Sequence, residues 1–269
     1  MGVRHRVRRM WIHRYTLTPR RPLSALAGAA PRDGALLRTE EGFADVHPWP
    51  ELGDAPLDEQ LEQLARGETT PLTRRSLWFA SQWKRDLFDG LTIPRSHWPG
   101  SDPPDGFDIA KIKMPGGVLP ERVRLRLDFN NDGEAFARVG PTLPRERIDF
   151  IEDPCPYDPV AWREIRQRGF RLALDRQVSV EAVDVLVVKP AVQDVPDVAI
   201  PVIITSYMDH PIGQLHAAYV AANSTETCGL VTHVLYENDA FIERMKIVDA
   251  RLVPPDFTDL LEALPWKRL

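Results

Sequence analysis

Apolar residues recur with two different periods along the chain, and the change of period divides it into two parts. In the first part, the runs GALLRT and GFADVH alternate around the turn at 40–42, which predicts two antiparallel strands. The segments PLDEQLEQLARGE and PLTRRSLWFASQWKRDLFDG then carry apolar residues at helical spacing, each with Pro near its start and Gly near its end. The first part is therefore predicted to be an α+β unit.

Beyond residue 90, short runs rich in Val, Ile and Leu recur, separated by loops or short helices. This pattern is typical of parallel strands joined by crossover connections. The runs are LTIPRS, IAKIKM, VRLRLD, RIDFIED, FRLALD, VDVLVVK, PVIITSY and GLVTHVLY. Eight such runs predict an α/β fold with a closed parallel barrel of the (β/α)8 type.

Two connections in this second part leave little room for a crossover helix. The residue number rises by only 14 from Asp175 to Lys189, and the segment PGGVLPERV after Lys113 is similarly short. We therefore predict a modified, (β/α)7β-like barrel with shortened crossovers. The apolar residues that would then need cover are Ile112, Leu125, Leu172, Leu174, Leu186 and Val188. We expect the chain termini or a second subunit of a homodimer to cover them.

Composition and charge exclude several classes of protein. The chain has 269 residues, of which 43% are hydrophobic and 27% charged, as expected of a globular protein. No apolar run approaches the roughly 20 residues that span a bilayer, and the basic start lacks the apolar segment of a signal peptide. The net charge of −5 argues against a nucleic-acid partner. We predict a cytoplasmic protein with neither a membrane nor a nucleic-acid partner.

Charged residues end several of the predicted barrel strands. In such a barrel, side chains alternate between the interior and the surrounding layer, and functional groups lie at the C-terminal strand ends. Alternation places these residues on the inner side: Lys111, Lys113, Arg126, Asp128, Glu152, Asp175 and Lys189. The mouth of the barrel is therefore predicted to hold three carboxylates and three ammonium groups.

These groups can serve a metal-assisted proton transfer. Carboxylates at three neighbouring strand ends can hold a hard cation such as Mg²⁺. A lysine that is partly desolvated beside such a cation loses proton affinity and can act as a base. The alternative is a set of solvated or paired surface acids, because 39 of the 269 residues are Asp or Glu. Three acids in consecutive strands, with lysines before and after them, favour the functional site.

The ordered motifs KIK, LRLDFN, FIEDPC, LALD and VVKP resemble the enolase superfamily, specifically the o-succinylbenzoate synthases in their muconate-lactonizing-like arrangement. The segment PRDGALLRTEEGFADVHPWP resembles the hairpin of the family's capping domain. ITSYMDHPIGQLHAAYVAA resembles its seventh strand and following helix, and CGLVTHVL its last strand region. The resemblance implies an α+β capping domain over residues 1–89, a catalytic barrel over 90–245 and a C-terminal segment, 246–269, that packs back on either.

The resemblance also implies the roles of the charged residues. The implied ligands of Mg²⁺, or of Mn²⁺ in its place, are Asp128, Glu152 and Asp175. Lys113 would be the catalytic base, and Lys111 would tune its pKa and help to neutralise the substrate carboxylate. Lys189 would lie across the substrate from Lys113. One departure stands out, because Arg176 follows the third ligand where the family usually has an acid.

The implied reaction is a dehydration by a carbon–oxygen lyase. Lys113 would remove a proton α to a carboxylate, a metal-stabilised enediolate would form, and water would leave to give o-succinylbenzoate for menaquinone synthesis. An N-acylamino acid racemase or dipeptide epimerase stays open, because two facing lysines also serve a two-base proton transfer. A non-catalytic binding barrel is a third alternative, which the retention of all six charged residues disfavours.

Four further residues are candidates for binding a small carboxylate substrate. Arg126 and Asn130 flank Asp128 on its own side of the strand, although Arg126 fits a structural ion pair equally well. The resemblance places Thr205 and Ser206 near the succinyl carboxylate, whereas the alternative for a strand-end hydroxyl is a helix cap. The arginines Arg20, Arg21 and Arg32 lie in the segment that would close over the mouth, and a surface position is their default interpretation.

Overall fold

The computed structural model describes residues 9–23 and 28–269, so the basic start of the chain, residues 1–8, lies outside the described residues. The first elements are strands β1 (Trp11–Leu17), β2 (Arg32–Arg38) and β3 (Phe43–Val46), followed by helices α1 (Leu57–Ala65) and α2 (Pro71–Gln82). The predicted hairpin is confirmed as the antiparallel pair of β2 and β3. β1 pairs with the other edge of β2, a strand that the pattern of apolar residues does not predict.

Helix α2 shows how local sequence sets the bounds of an element. Its N-cap Thr70 forms a capping box with Thr73, and Pro71 takes the first helical position, where its missing N–H costs no hydrogen bond. The helical spacing of apolar residues continued to residue 90, but the helix ends at Gln82. Leu87 is buried from a turn instead, so it joins the core without extending the helix.

The second part contains six parallel strands within the described residues. They are β4 (Ile109–Lys113), β5 (Arg124–Asp128), β6 (Ile148–Glu152), β7 (Leu172–Asp175), β8 (Val185–Val188) and β9 (Val202–Ile204), and they neighbour one another in chain order. Helices α3 (Gly133–Val139), α4 (Pro159–Gln167) and α5 (Pro211–Ala221) follow β5, β6 and β9. This sheet and the N-terminal antiparallel sheet confirm the predicted α/β class with an N-terminal α+β unit.

The runs LTIPRS and GLVTHVLY link the two edges of this sheet, but as isolated bridges rather than as strands. Ser96 bridges Cys228, Trp98 bridges Ala110 of β4, and Thr205 bridges Gly229. Two features shorten these runs: Pro94 cannot donate to a strand ladder, and the chain turns into a 3-10 helix over Thr232–Leu235. The ring therefore runs from β4 to β9 and back through the two bridged segments.

The short crossovers are confirmed, and the structure adds one more. Residues 114–123, 176–184 and 189–201, all of them described, connect β4 to β5, β7 to β8 and β8 to β9 without a helix. The six apolar residues predicted to need cover are nevertheless buried in a single chain. Gly117, for example, packs so closely against Ile112 that a Cβ there would lie 2.2 Å from Ile112 Cγ2. Their burial therefore requires no second subunit, and a homodimer stays a prediction without this support.

The chain termini build up the N-terminal sheet. After the hairpin of β10 (Lys246–Val248) and β11 (Arg251–Val253) comes α6 (Thr258–Ala263), and β12 (Lys267–Arg268) then pairs with β1. The remaining short 3-10 helices are Pro50–Leu52, Gly140–Thr142, Arg145–Arg147 and Ile242–Arg244. Within the described residues, no helix is both long and apolar enough to cross a membrane. The bounds of the three predicted domains stay a prediction.

Candidate active site

The charged strand ends meet at one mouth because the parallel strands are in register there. Lys113 on β4 pairs with Asp128 on β5, which pairs with Glu152 on β6. The side chains of β5 alternate as predicted, because Leu125 and Leu127 lie in the large apolar core cluster while Asp128 lies at the mouth. Beneath the mouth, an inner apolar cluster fills the barrel with Phe150, Ala173, Val185, Val187 and Ile203.

Each lysine of the mouth is paired with a carboxylate. Lys111 Nζ lies 2.6 Å from Glu152 Oε1 and 3.1 Å from Asp128 Oδ2. Lys113 Nζ donates to Asp128. Lys189, at the end of β8, donates to both carboxylate oxygens of Asp175. The groups thus form a cluster of two lysines with Asp128 and Glu152 and a separate pair of Lys189 with Asp175, rather than isolated surface charges.

The cluster shifts the pKa values of its members in opposite directions. Burial, and then repulsion by Asp128, raises the pKa of Glu152 to about 7. Burial also acts to raise the pKa of Asp128, but Lys113 and Lys111 outweigh it and hold that pKa well below its usual value. Burial acts to lower the pKa of Lys111, and attraction to Glu152 and Asp128 reverses the shift to a net increase. Lys111 is therefore cationic at neutral pH.

A cavity of about 520 Å³ lies over these charged groups, between the barrel and the N-terminal part. The N-terminal part contributes Arg21, Pro22, Leu23, Trp49 and Leu52 to its wall. Arg21 is not a free surface residue, because its guanidinium donates to Pro99 O at 2.7 Å and lies 3.4 Å from Asp102 Oδ1. The cavity is thus large enough for a small ligand and is closed partly by residues far away in sequence.

Lys113 and Lys189 stand on opposite sides of this cavity. Between β4 and β8 lie β5, β6 and β7 in one direction, and β9 with the two bridged segments in the other. Both lysines line the cavity, together with Lys111. A ligand in the middle of the mouth would therefore have Lys113 on one face and Lys189 on the other.

Polar atoms without partners mark two of the predicted substrate-binding residues. Thr205 Oγ1 and Asn130 Nδ2 line the cavity, are buried and have no hydrogen-bond partner among the described residues. Ser206 Oγ, by contrast, lies 2.6 Å from Thr232 Oγ1. Neither hydroxyl caps α5, because its N-cap is His210, whose Nδ1 accepts from Ile212 N. An orphaned buried polar atom is costly, so these two atoms favour a polar ligand.

Comparison with known proteins identifies the family to which this site belongs. The family described as "O-succinylbenzoate synthase, N-terminal domain" matches residues 10–84. The chain is 33% identical to a Bdellovibrio bacteriovorus protein named o-succinylbenzoate synthase, across 95% of this chain and 97% of that protein. The chain belongs to the o-succinylbenzoate synthase family.

Solved structures of other enzymes share the fold of this synthase-family chain. A dipeptide epimerase from Cytophaga hutchinsonii, complexed with Mg and the dipeptide D-Ala-L-Val, has a TM-score of 0.66, 15% identity and coverage of 97% of this chain and 98% of that one. MenC from Desulfotalea psychrophila has a TM-score of 0.62, 13% identity and coverage of 91% and 99%. The predicted family, fold class and lyase type of enzyme are confirmed.

The carboxylates of this synthase-family site have the chemistry of a cation site. Asp128, Glu152 and Asp175 end three adjacent strands, and their oxygens are the ligands that hard cations prefer. Their oxygens are engaged by lysines, and within residues 9–23 and 28–269 no group of three His, Cys, Asp or Glu side chains converges on a point that could hold a metal. A cation would therefore have to replace lysine contacts.

Several cavity residues were missed from the sequence. Asp153 lies beside Glu152, and its Oδ1 accepts from Asp175 N at 3.1 Å. Burial, and then repulsion by Asp175, raises the pKa of Asp153 well above its usual value. The double acid in FIEDPC was the available signal. His97 and Trp49 gave none, because only the tertiary fold brings them to the cavity wall.

Arg126 lies below the cavity wall, in a buried ion pair. Its Nε donates to Asp149 Oδ2 at 2.8 Å, and Nη1 donates to Thr227 O at 2.7 Å and lies 3.0 Å from His97 Nδ1. Burial, and then the charge of Arg126, lowers the pKa of His97 well below its usual value, so the imidazole is neutral. This geometry matches the structural alternative, and substrate contact by Arg126 stays a prediction.

The ion pair predicts a stability effect for Asp149→Asn. The amide still accepts a hydrogen bond but leaves the buried guanidinium of Arg126 without its counter-charge, at a cost of about 2 kcal/mol in the free energy of unfolding. Urea unfolding measures this loss. The exposed acid Asp86, with its side chain 62% exposed, gives the control Asp86→Asn, which should change stability by no more than about 0.5 kcal/mol. Equal effects of the two substitutions would contradict the role given to the pair.

Proposed function

We propose that this member of the synthase family is a Mg²⁺-dependent dehydratase that converts 2-succinyl-6-hydroxy-2,4-cyclohexadiene-1-carboxylate into o-succinylbenzoate. The observation that carries the proposal is the placement of Lys113 and Lys189 on opposite sides of a partly closed cavity, each donating to a carboxylate of the mouth. Menaquinone synthesis and a cytoplasmic location are the setting that the sequence predicts for this activity.

The proposed reaction needs a base, a positive environment and a proton for the leaving group. Lys113 Nζ, in its neutral form, takes the proton α to the ring carboxylate. The C–O bond then breaks, a ring double bond forms, and the hydroxyl leaves as water with a proton from the Lys113 ammonium. Lys111 and Lys189, as cations, offset the negative charge that develops on the substrate.

Asp128, Glu152 and Asp175 would hold the cation. When bound, Mg²⁺ would supply the positive charge that makes the α-proton of a carboxylate acidic enough to be removed. The dipeptide epimerase complexed with Mg, which shares this fold, supports this choice of ion. Mn²⁺, which prefers the same oxygen ligands, is proposed as a substitute.

The test is an assay of the purified protein with the cyclohexadiene substrate, followed by the ultraviolet absorbance of the aromatic product. We expect turnover in Mg²⁺ and its loss in EDTA, with recovery on adding Mg²⁺ or Mn²⁺. The shape of the circular dichroism spectrum in EDTA controls for unfolding. Full activity in EDTA would contradict the metal assignment, and no product under any metal condition would contradict the dehydratase.

The opposed lysines favour one second candidate, a racemase or epimerase of N-acylamino acids or dipeptides. Lys113 and Lys189 on opposite faces would remove a proton from one side and return one to the other. Incubation of N-succinylamino acids and dipeptides in D₂O, followed by NMR, measures α-proton exchange together with inversion. Inversion faster than dehydration of the cyclohexadiene substrate would make this the principal activity.

A further inference from the structure

The cavity wall contains a cation that the proposed chemistry does not use. Arg176 directly follows Asp175 and has the positive φ of 60°, an uncommon conformation for a residue with a side chain. This turn leaves Arg176 lining the cavity, partly buried, with its Cζ 5.6 Å from the centre of the Tyr207 ring. Strain of this kind is retained where a side chain needs a particular position.

Arg176 differs from the other cations of the wall in having no anionic partner. Each of the three lysines is paired with a carboxylate, and Arg21 is bonded to Pro99 O and lies near Asp102. Within residues 9–23 and 28–269, no carboxylate lies within ion-pair distance of Arg176, and its guanidinium lies over the face of Tyr207. A guanidinium that is free in a cavity is suited to a carboxylate, which it can bind through two parallel hydrogen bonds.

A second unpaired donor lies beside Tyr207, the residue whose ring Arg176 faces. Trp49 lines the cavity and is 1% exposed, and its indole Nε1 has no hydrogen-bond partner among the described residues. Its ring meets Tyr207 edge to face, with centroids 6.3 Å apart, and the Tyr207 hydroxyl is fixed by donation to Asp54 Oδ2 at 2.9 Å. Trp49 from the N-terminal part and Arg176 from the barrel, both without a polar partner among the described residues, therefore lie beside the same Tyr207 ring.

We propose that Arg176 is a specificity-determining residue that receives the carboxylate at the end of the substrate side chain, with Trp49 Nε1 as a second donor. The inference rests on the proposed dehydratase, whose substrate carries one carboxylate on the ring and another on the succinyl chain. The ring carboxylate must lie at the lysines, where its α-proton is removed. The second carboxylate then finds its unpaired cation at Arg176.

The test compares Arg176→Leu with the wild type on two substrates. One is the natural dicarboxylate, and the other is its analogue with the side-chain carboxylate converted to a primary amide. Loss of a charge-assisted bidentate contact should raise KM for the dicarboxylate roughly 10- to 100-fold, with kcat changed little. KM for the amide should be the same for both enzymes. Arg176→Lys keeps the charge but not the planar guanidinium that makes two parallel hydrogen bonds. Its KM for the dicarboxylate should lie between those of the wild type and Arg176→Leu.

Controls separate this role from a structural one. The exposed Arg138 of α3, which does not line the cavity, gives the matched control Arg138→Leu, which should leave both KM values unchanged, and unfolding in urea should show similar stability for all variants. The proposal would be overturned if Arg176→Leu raised KM equally for the dicarboxylate and the amide, or if it raised KM for neither.

A binding measurement keeps the outcome separate from that of the dehydratase proposal. Calorimetry with o-succinylbenzoate and its side-chain amide needs no turnover. If the wild type binds the diacid better than the amide and Arg176→Leu abolishes that preference, the assignment of Arg176 stands even where no dehydration is found. If the wild type shows no preference for the diacid, the assignment fails even where dehydration is fast.

Discussion

Replacing Lys113 by Ala is expected to abolish dehydration and, with it, the exchange of the substrate α-proton in D₂O. Positioned general bases contribute about 10²- to 10⁴-fold, and Lys113 lines the cavity with its Nζ donating to Asp128. We therefore expect activity to fall about a thousandfold or more. Ultraviolet absorbance measures dehydration, and NMR measures the loss of the α-proton signal.

Lys189→Arg is the matched variant, because it keeps the cation and removes the proton transfer. Arg cannot act as a base at neutral pH. A dehydratase needs only positive charge from Lys189, so this variant should retain measurable dehydration. Lys189→Ala, which also removes the charge, should retain less. Wild-type dehydration by Lys113→Ala would show that Lys113 is not the base.

The same variants separate the two candidate activities. A racemase or epimerase requires both lysines to move protons, so Lys189→Arg should stop inversion while Lys113 still exchanges the proton on its own face. In the dehydratase, the same substitution leaves the single proton abstraction intact. For Lys189→Arg of this chain we therefore expect exchange of the α-proton without inversion, together with measurable dehydration.

The mouth of the barrel could be predicted because strand alternation is a local property. Once IAKIKM and VRLRLD are assigned as strands, the period of two places Lys111, Lys113 and Asp128 on one face, whatever the rest of the chain does. Parallel register then brings Lys113 beside Asp128 and Asp128 beside Glu152. The sequence carries no comparable signal for which lysine pairs with which acid, because that depends on rotamers and on their mutual desolvation.

The part of the cavity wall that the N-terminal part contributes could not be predicted, because contacts between distant segments of the chain form it. Trp49 follows β3, and Tyr207 follows β9, yet their rings are in edge-to-face contact. The strand β1 was missed for a related reason, because its place is fixed by hydrogen bonds to β2 and to the distant β12. The cover of Ile112 was predicted to come from the chain termini or a second subunit. Part of it comes from Gly117, whose close packing is invisible in a pattern of apolar positions.

Two buried carboxyl groups lie at the contact between the N-terminal sheet and the barrel. Asp45 is on β3 and Asp209 precedes α5, and both are almost fully buried. A Cβ built on Gly213 would lie 2.5 Å from Asp209 Oδ2 and 2.7 Å from Asp45 Oδ2, so the glycine leaves space where the two carboxyls approach. Tyr15 Oη donates to Asp45 Oδ1 at 2.5 Å, and His210 N donates to Asp45 Oδ2 at 3.1 Å.

Burial raises the pKa of Asp209 to about 7. Burial, and then repulsion by Asp209, raises the pKa of Asp45 well above its usual value. In the unfolded chain both acids have the ordinary aspartate pKa of 3.8. An acid whose pKa is higher in the folded than in the unfolded chain makes its full contribution to stability below the unfolded pKa. That contribution is lost as the pH rises through the folded pKa. The pair should therefore weaken the fold progressively from about pH 4 to about pH 7.

Asp209→Asn should remove much of this loss. A shift from 3.8 to about 7 corresponds to as much as about 4 kcal/mol of unfolding free energy, so the variant should be more stable than the wild type by a few kcal/mol at pH 8. At pH 4 the advantage should vanish, because the wild-type carboxyl is then protonated in the folded protein. Urea unfolding of both proteins from pH 4 to pH 8 measures the difference in their free energies of unfolding. Because His47, His210 and Tyr15 are present in both proteins, their contributions cancel from this difference to first order. A stability difference that does not change with pH would show that the pKa of Asp209 is not raised in the folded protein.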